Sequence, residues 1–429
     1  MAVLIVNMTC MTEPRLSSCS SALATWSALT TWSALATWSA PIIYSLLLAL
    51  IAWILPSSSL AQSLSVTQAT QTFSVPQPDY KWDFPRDHGA HPEFQTEWWY
   101  FTGQLVSAAG PVTAAAGAVD KLFTAGADYG FQLTFFRRAI FSTPEKSSLS
   151  NGLLAHAALS DIRSGKFEHE KRYQRTGLTD APENPSSTDL RVGVGDWTAE
   201  RKSDSGLIFL SYSLADAKIQ LQARIVQPVM LQGKAGFSRK GSCSSCASYY
   251  YSMPRLELTG TITKNGVATA VSGLGWMDHE FMSNALMPNQ IGWDWISLMT
   301  SSGDSIMYFR LRTLKKEDET TACALQDSNG VIHDCVASFT QKTSWQSPQS
   351  GARYPATMQL SIRQLSISPS ASSATGQATR VFEIATMLAD QELNGSELAY
   401  YEGAIRSEDG SAIGYAEFTG YDKPIGQAF

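Results

Sequence analysis

The chain has 429 residues, a formal charge of −6 and only 16% charged residues. It contains no basic run, so the clustered Lys and Arg that phosphate binding relies on are missing and nucleic acid is excluded as a partner. Hydrophobic residues make up 44%, with 12 Trp, 15 Tyr and 18 Phe. Such rings suit strands and pocket walls, and the length allows two β-barrels of roughly 150–200 residues each.

Taken in chain order, residues 1–39 hold three copies of a hexapeptide, SALATW, SALTTW and SALATW, between Ser21 and Trp38. They read as low-complexity sequence outside the fold. The apolar run from Ile42 to Leu55 is short for a bilayer span and sized for a signal-peptide core. Small residues at Ser59-Leu60-Ala61 then predict cleavage before Gln62 and export to the periplasm or the exterior. An uncleaved N-terminal membrane anchor is the alternative. Residues 62–79, with Pro76 and Pro78, read as an exposed leader.

From Tyr80 onward short aromatic and β-branched runs alternate with Gly, Asn, Asp and Pro turns. Examples are Thr96 to Val106, Tyr129 to Phe136, Leu153 to Ser160, Leu207 to Ser213, Ile219 to Val226 and Tyr249 to Thr263. Later come Gly292 to Met299, Ser305 to Arg312, Thr357 to Ser368, Val381 to Leu388 and Ile413 to Phe418. No segment past the signal core shows a sustained helical period, so the expectation is an all-β chain of barrels or sandwiches. Met287-Pro288-Asn289 marks the natural boundary between an N-terminal domain, 80–286, and a C-terminal one, 287–429.

Four Cys follow the predicted cleavage point, which permits two disulfides in an exported chain. Cys323 and Cys335 flank the turn sequence Asp327-Ser328-Asn329-Gly330 and are placed to face each other across two strands. Cys243 and Cys246 have redox or zinc spacing without a second pair nearby, and a local loop disulfide is the simpler reading.

Three blocks carry candidate chemistry. In TEWWYFTG, alternation puts Glu97, Trp99, Phe101 and Leu105 on one strand face and Trp98, Tyr100 and Thr102 on the other. In GLGWMDHEF, Trp276, Asp278 and Glu280 point one way and Met277, His279 and Phe281 the other. Tyr249, Tyr250 and Tyr251 open a strand upstream, and GWDWISL sets Asp294 between Trp293 and Trp295. Arg310 and Arg312 are available partners for any of these carboxylates. A buried carboxylate beside Arg stays ionised and structural, whereas one walled by rings keeps its proton to higher pH. His88, His91 and Glu93 match no standard zinc spacing, so no metal is expected. Nucleophile-elbow, P-loop, Rossmann and HExxH patterns are absent from the sequence.

Together FPRDHGAHPEFQTEWWYFTG, FSRKGSCSSCASYYYSMPRLELTG, GLGWMDHEF, GWDWISL, YYEGAI and GYAEFTGY resemble, in order and spacing, the carotenoid 1,2-hydratase (hydroxyneurosporene synthase-like) family, which also holds predicted secreted hydrolases. The resemblance runs from about Tyr80 to Tyr421. It implies two tandem lipocalin-like antiparallel barrels, each just wide enough for a small apolar ligand. It further implies cofactor-independent addition of water to an isoprenoid C=C bond. Carried over by position, Asp278 is the acid, with Trp276 and Tyr251 as aromatic walls. Glu97, Trp99, Phe101, Tyr249, His279, Trp293 and Asp294 are candidate substrate contacts. The hydratases have Trp where this chain has Tyr251 and Tyr where it has Trp276. The competing expectation is a non-catalytic carrier of a lipid or pigment, with peripheral membrane contact; a secreted hydrolase is the lesser one.

Overall fold

Strands dominate because β-branched and aromatic residues alternate with small or polar ones, giving each strand two distinct faces. A computed structural model describes residues 73–107, 115–139, 151–176, 185–283, 286–365, 379–395 and 399–425. The hexapeptide repeats, the signal-peptide reading and most of the leader lie outside the described residues.

Twelve strands form the first sheet: β1 (Thr96–Ser107), β2 (Tyr129–Ala139), β3 (Asn151–Asp161), β4 (Lys166–Arg175), β5 (Arg191–Val194), β6 (Trp197–Arg201), β7 (Ile208–Ser213), β8 (Ala217–Ile225), β9 (Met230–Leu231), β10 (Phe237–Arg239), β11 (Ala247–Lys264) and β12 (Val267–Met282). Their order is β4-β3-β2-β1-β12-β11-β8-β7-β6-β5, with β9 and β10 pairing β11. The sheet curls until β5 meets β2, β3 and β4, giving a nearly closed barrel. Nine strands form the second: β13 (Gln290–Thr300), β14 (Ser305–Thr313), β15 (Thr320–Gln326), β16 (Ile332–Gln346), β17 (Arg353–Gln364), β18 (Arg380–Thr386), β19 (Glu392–Leu393), β20 (Tyr400–Ser407) and β21 (Ala412–Phe418). Here β18 pairs back onto β20 and closes an eight-stranded barrel. The expected pair of lipocalin-like antiparallel barrels is the observed architecture.

One element departs from the all-strand expectation. Helix α1 (Ala115–Thr124) packs Ala118 and Leu122 against the outsides of β1, β12 and β21. Ten residues are too few to display a sustained period; packing on these strands holds the helix, and Gly126, at φ 87°, closes its C-terminus with its N–H on the Lys121 carbonyl at 3.1 Å.

Each barrel has its own interior, filled in the first by Trp99, Phe101, Phe131, Leu133, Tyr251 and Met277, and in the second by Ile296, Leu298, Tyr308, Met358 and Phe418. A third cluster belongs to neither. Tyr100, Tyr250, Leu274 and Trp276, on the outside of the first barrel, meet Trp295, Phe309, Ala404 and Tyr415, on the outside of the second. Gln104 bridges this seam, its Nε2 donating to the carbonyls of Ile405 at 2.8 Å and Gly414 at 2.7 Å.

The hairpin β11–β12 sets the register at the seam. Asn265 and Gly266 connect the strands with φ of 51° and 76°, the left-handed pair that a two-residue hairpin turn requires. A one-residue bulge lies between Met253 and Leu256, at Pro254, which has no N–H to give to a ladder. Beyond the bulge Ser252 pairs with Asp278.

Both disulfides are present, with Cα separations of 5.2 Å for Cys243–Cys246 and 5.4 Å for Cys323–Cys335. The second stands where the short β15–β16 ladder ends, beyond the Ala324–Asp334 pair. Replacing Cys323 and Cys335 by Ser is expected to cost about 2–4 kcal/mol, chiefly by freeing the unfolded chain. Denaturant unfolding checks this, and an unchanged midpoint removes the disulfide from the account of stability.

Candidate active site between the barrels

Asp278 projects from β12 away from the first barrel's interior and into the seam, 3% exposed. Its Oδ1 accepts from Ser252 Oγ and Trp276 Nε1, each at 2.6 Å, and its Oδ2 from Tyr250 Oη at 2.6 Å. Trp295, on the second barrel, donates from Nε1 to Tyr250 Oη at 3.1 Å, and Gln232 Nε2 donates to Ser252 Oγ at 2.8 Å. Among the described residues no cation pairs with Asp278. Burial therefore outweighs the three donors and pushes its carboxyl up to about 7, with Glu280 adding in the same direction. The three donors favour the ionised carboxyl, so burial without a counter-ion is what keeps the proton on.

Three more carboxylates share this seam. Glu280 pairs with Lys240 at 2.7 Å, and the same ammonium lies 4.1 Å from the centre of the Phe309 ring and 4.9 Å from that of Tyr250. Glu402 accepts from Tyr100 Oη at 2.6 Å and is held well above the usual carboxylate range by burial and by Glu417. Glu417 is pushed up to about 8, again mainly by burial. Trp98, Trp293 and Glu417 are only half-buried, so this part of the seam is reachable.

Across the sheet from Asp278 lies a different arrangement. Glu97 is fully buried in the first barrel, yet Arg137 Nε at 2.9 Å, His91 Nδ1 at 2.8 Å and His279 Nε2 at 2.9 Å converge on it. Burial opposes its charge, but the guanidinium and the two rings hold its carboxyl well below the ordinary value. His91 also reaches Asp87 Oδ1 at 3.3 Å. Burial opposes its charge as well, but the two carboxylates raise its pKa. The donor atoms of His91, Glu97 and His279 cluster within 4.8 Å. Both rings lie at hydrogen-bond distance from one carboxylate oxygen and Arg137 bonds the other, so the four side chains form one buried network.

The structure thus divides the sequence candidates. Trp276, Asp278 and Trp293 lie in the seam. Glu97, Trp99, Phe101, Tyr249 and His279 do not reach it: they occupy the first barrel's inner face and its end, where Tyr249 packs on Phe94 and Phe281. Asp294 faces the second barrel's interior, paired with Arg310 at 2.5 Å and Arg312 at 3.3 Å. Tyr251 is the plainest correction. It is not a wall of Asp278; it points inward to His88 Nδ1, 2.7 Å away, and Tyr250 takes the expected place. Glu402, Glu417, Tyr100 and Trp295 complete the seam and were not anticipated. YYEGAI and GYAEFTGY were noticed only as marks of resemblance, although a Glu in each strand motif was the available signal.

Arg137→Leu is expected to destabilise the fold by about 3–5 kcal/mol, because it leaves Glu97 charged and buried. Arg224→Leu, which breaks the exposed Arg224–Glu257 pair, is expected to change stability little. Equal effects in denaturant unfolding contradict the structural role given to Glu97.

Comparison with known proteins agrees with this architecture. The crystal structure of NE1406, an AttH-type protein from Nitrosomonas europaea, is 32% identical, has a TM-score of 0.66, and covers 81% of this chain and 100% of its own. Kievitone hydratase from Nectria haematococca is 14% identical with a TM-score of 0.53, covering 82% of this chain and 97% of its own, a likeness of fold. No protein of curated function matches the sequence. The AttH-like family profile matches residues 75–421, and with it the chain belongs to the AttH-like family.

Proposed function

We propose that the seam is the active site of a cofactor-independent hydratase or isomerase that protonates a C=C bond of an apolar, isoprenoid-like substrate. The carotenoid-type substrate is the finer form of this reading and rests on the sequence resemblance. One observation carries the proposal: Asp278 is buried among Tyr250, Trp276 and Trp295 with no paired cation, and holds its proton near neutrality. The family relationship and the fold shared with a hydratase support it. Export fits the two disulfides, which persist in oxidising compartments.

In the proposed reaction the Asp278 proton moves to an alkene carbon, forming a C–H bond as the π bond breaks. The tertiary cation that results faces the Trp276 and Trp295 rings, each worth about 0.5–2 kcal/mol to a nearby positive charge. Water closes the C–O bond and releases a proton; loss of a neighbouring carbon-bound proton instead gives the isomer. Tyr250 and Ser252 take up the negative charge left on Asp278.

Asp278→Asn is expected to abolish turnover of an acyclic terpenoid alkene such as lycopene in detergent micelles, while folding and ligand retention persist. Chromatography of products checks this, and retained turnover rejects the mechanism. A wild-type chain that binds the alkene stoichiometrically but never releases product is a carrier instead. For the active enzyme, kcat/KM should fall on the alkaline side of its pH profile, because the acid, whose carboxyl is pushed up to about 7, must be protonated. A profile with no alkaline fall contradicts the acid role.

A further inference from the structure

We propose that Glu402 and Glu417 of the second barrel form the seam's proton acceptor, so that one barrel supplies the acid and the other the base. The inference rests on Asp278 acting as the acid. Glu402 and Glu417 are direct cross-strand partners on β20 and β21, which places their Cβ atoms about 4.5–5.5 Å apart. Like charges directly opposite are destabilising, more so when buried. Among the described residues neither forms an ion pair with Lys, Arg or His. A fold that sets a buried and a half-buried carboxyl together without a counter-ion stabilises a pair holding at least one proton, and the singly ionised pair is a base.

A second observation points to what the pair acts on. Thr102 lies two residues from Tyr100 on the same face of β1, 1% exposed, and its Oγ1 has no hydrogen-bond partner. Ser297, on the face of β13 that carries Trp293 and Trp295, is fully buried with its Oγ likewise unpartnered. Such hydroxyls are suited to hold a polar atom in an otherwise ring-lined seam.

The two glutamates differ in access. Glu402 is 1% exposed and bonded to Tyr100, whereas Glu417 is half-buried and reachable. Glu417 is therefore the member that meets water, and Glu402 positions it. The titratable groups facing the pair are Tyr100 on β1, Asp278 and Glu280 on β12, Tyr400 on β20 and Tyr415 on β21, with Lys240 engaged by Glu280. Burial, Asp278 and Glu280 all raise Glu417. In the balanced step the water oxygen bonds to the carbocation, its released proton passes to the ionised glutamate, and alkene plus water becomes alcohol. Return of that proton to Asp278 restores the resting state.

The test uses the full chain with lycopene in detergent micelles. Glu417→Gln should lower kcat about 10²–10⁴-fold with little change in KM and remove the acid-side fall in kcat/KM. Glu402→Gln should shift that fall. Infrared carboxyl C=O bands, followed without substrate from acid to alkaline pH, should show one group deprotonating near pH 8 in the wild type and not in Glu417→Gln. If both variants keep kcat within about threefold and retain both pH limbs while Asp278→Asn is inactive, the pair has no part in the reaction and Asp278 keeps its own. An active Asp278→Asn removes both readings. A carboxyl band unchanged by Glu417→Gln overturns the protonation of the pair, whatever the substrate.

Discussion

A carboxyl group kept neutral near pH 7 needs surroundings that solvate its charge poorly and provide no cation, and two barrel exteriors pressed together create them here. The same chain shows what happens otherwise. Glu97 and Asp294 are buried as deeply as Asp278, yet each is met by a guanidinium. Three buried acids, one each on β1, β12 and β13, therefore divide into two paired with guanidinium groups and one candidate proton donor. Counter-ions, not depth, make the division.

Strand alternation turns this constraint into architecture. On β1 and β12 odd residues fill the first barrel and even residues build the seam, so β12 is buried without interruption from Val271 to Met282. Central strands covered on both sides read as runs and lose the wet face. Here the second cover is another barrel, and what it covers is polar as well as aromatic. Among the described residues the first barrel's inner face carries an apolar cluster and the Glu97 network. In the proposed reaction the outer faces carry the chemistry, and neither barrel alone encloses them.

Much of this was legible in the sequence. The strand runs, the Cys323–Cys335 bridge across its turn and the common face of Trp276, Asp278 and Glu280 follow from alternation and turn chemistry. The polar strands β4 and β16 and helix α1 were not, since their hydrophobic patterns are weak and tertiary packing decides them. The placement of Tyr251 beside Asp278 came with the family resemblance, and alternation along β11 gives the same answer for a physical reason. Leu256, Leu258 and Ile262 point inward at even numbers, and extending that alternation back along β11 sends Tyr250 inward and Tyr251 outward. The bulge at Pro254 inserts one residue and inverts the parity. A single unpaired residue moves a whole segment to the other face.

The seam's membership was hidden for a related reason. Glu402 and Glu417 lie more than a hundred residues beyond Asp278, and nothing local marks either as buried, because a Glu in an antiparallel strand ordinarily faces water. Only the docking of two closed surfaces reverses that expectation. Once they dock, the ladder between β20 and β21 forces the two side chains together, and Tyr100 answers one of them across the seam. Packing for stability alone would favour apolar residues at these positions. That the chain instead places four carboxyls and one lysine in the seam is the local conflict expected where a surface is organised for chemistry.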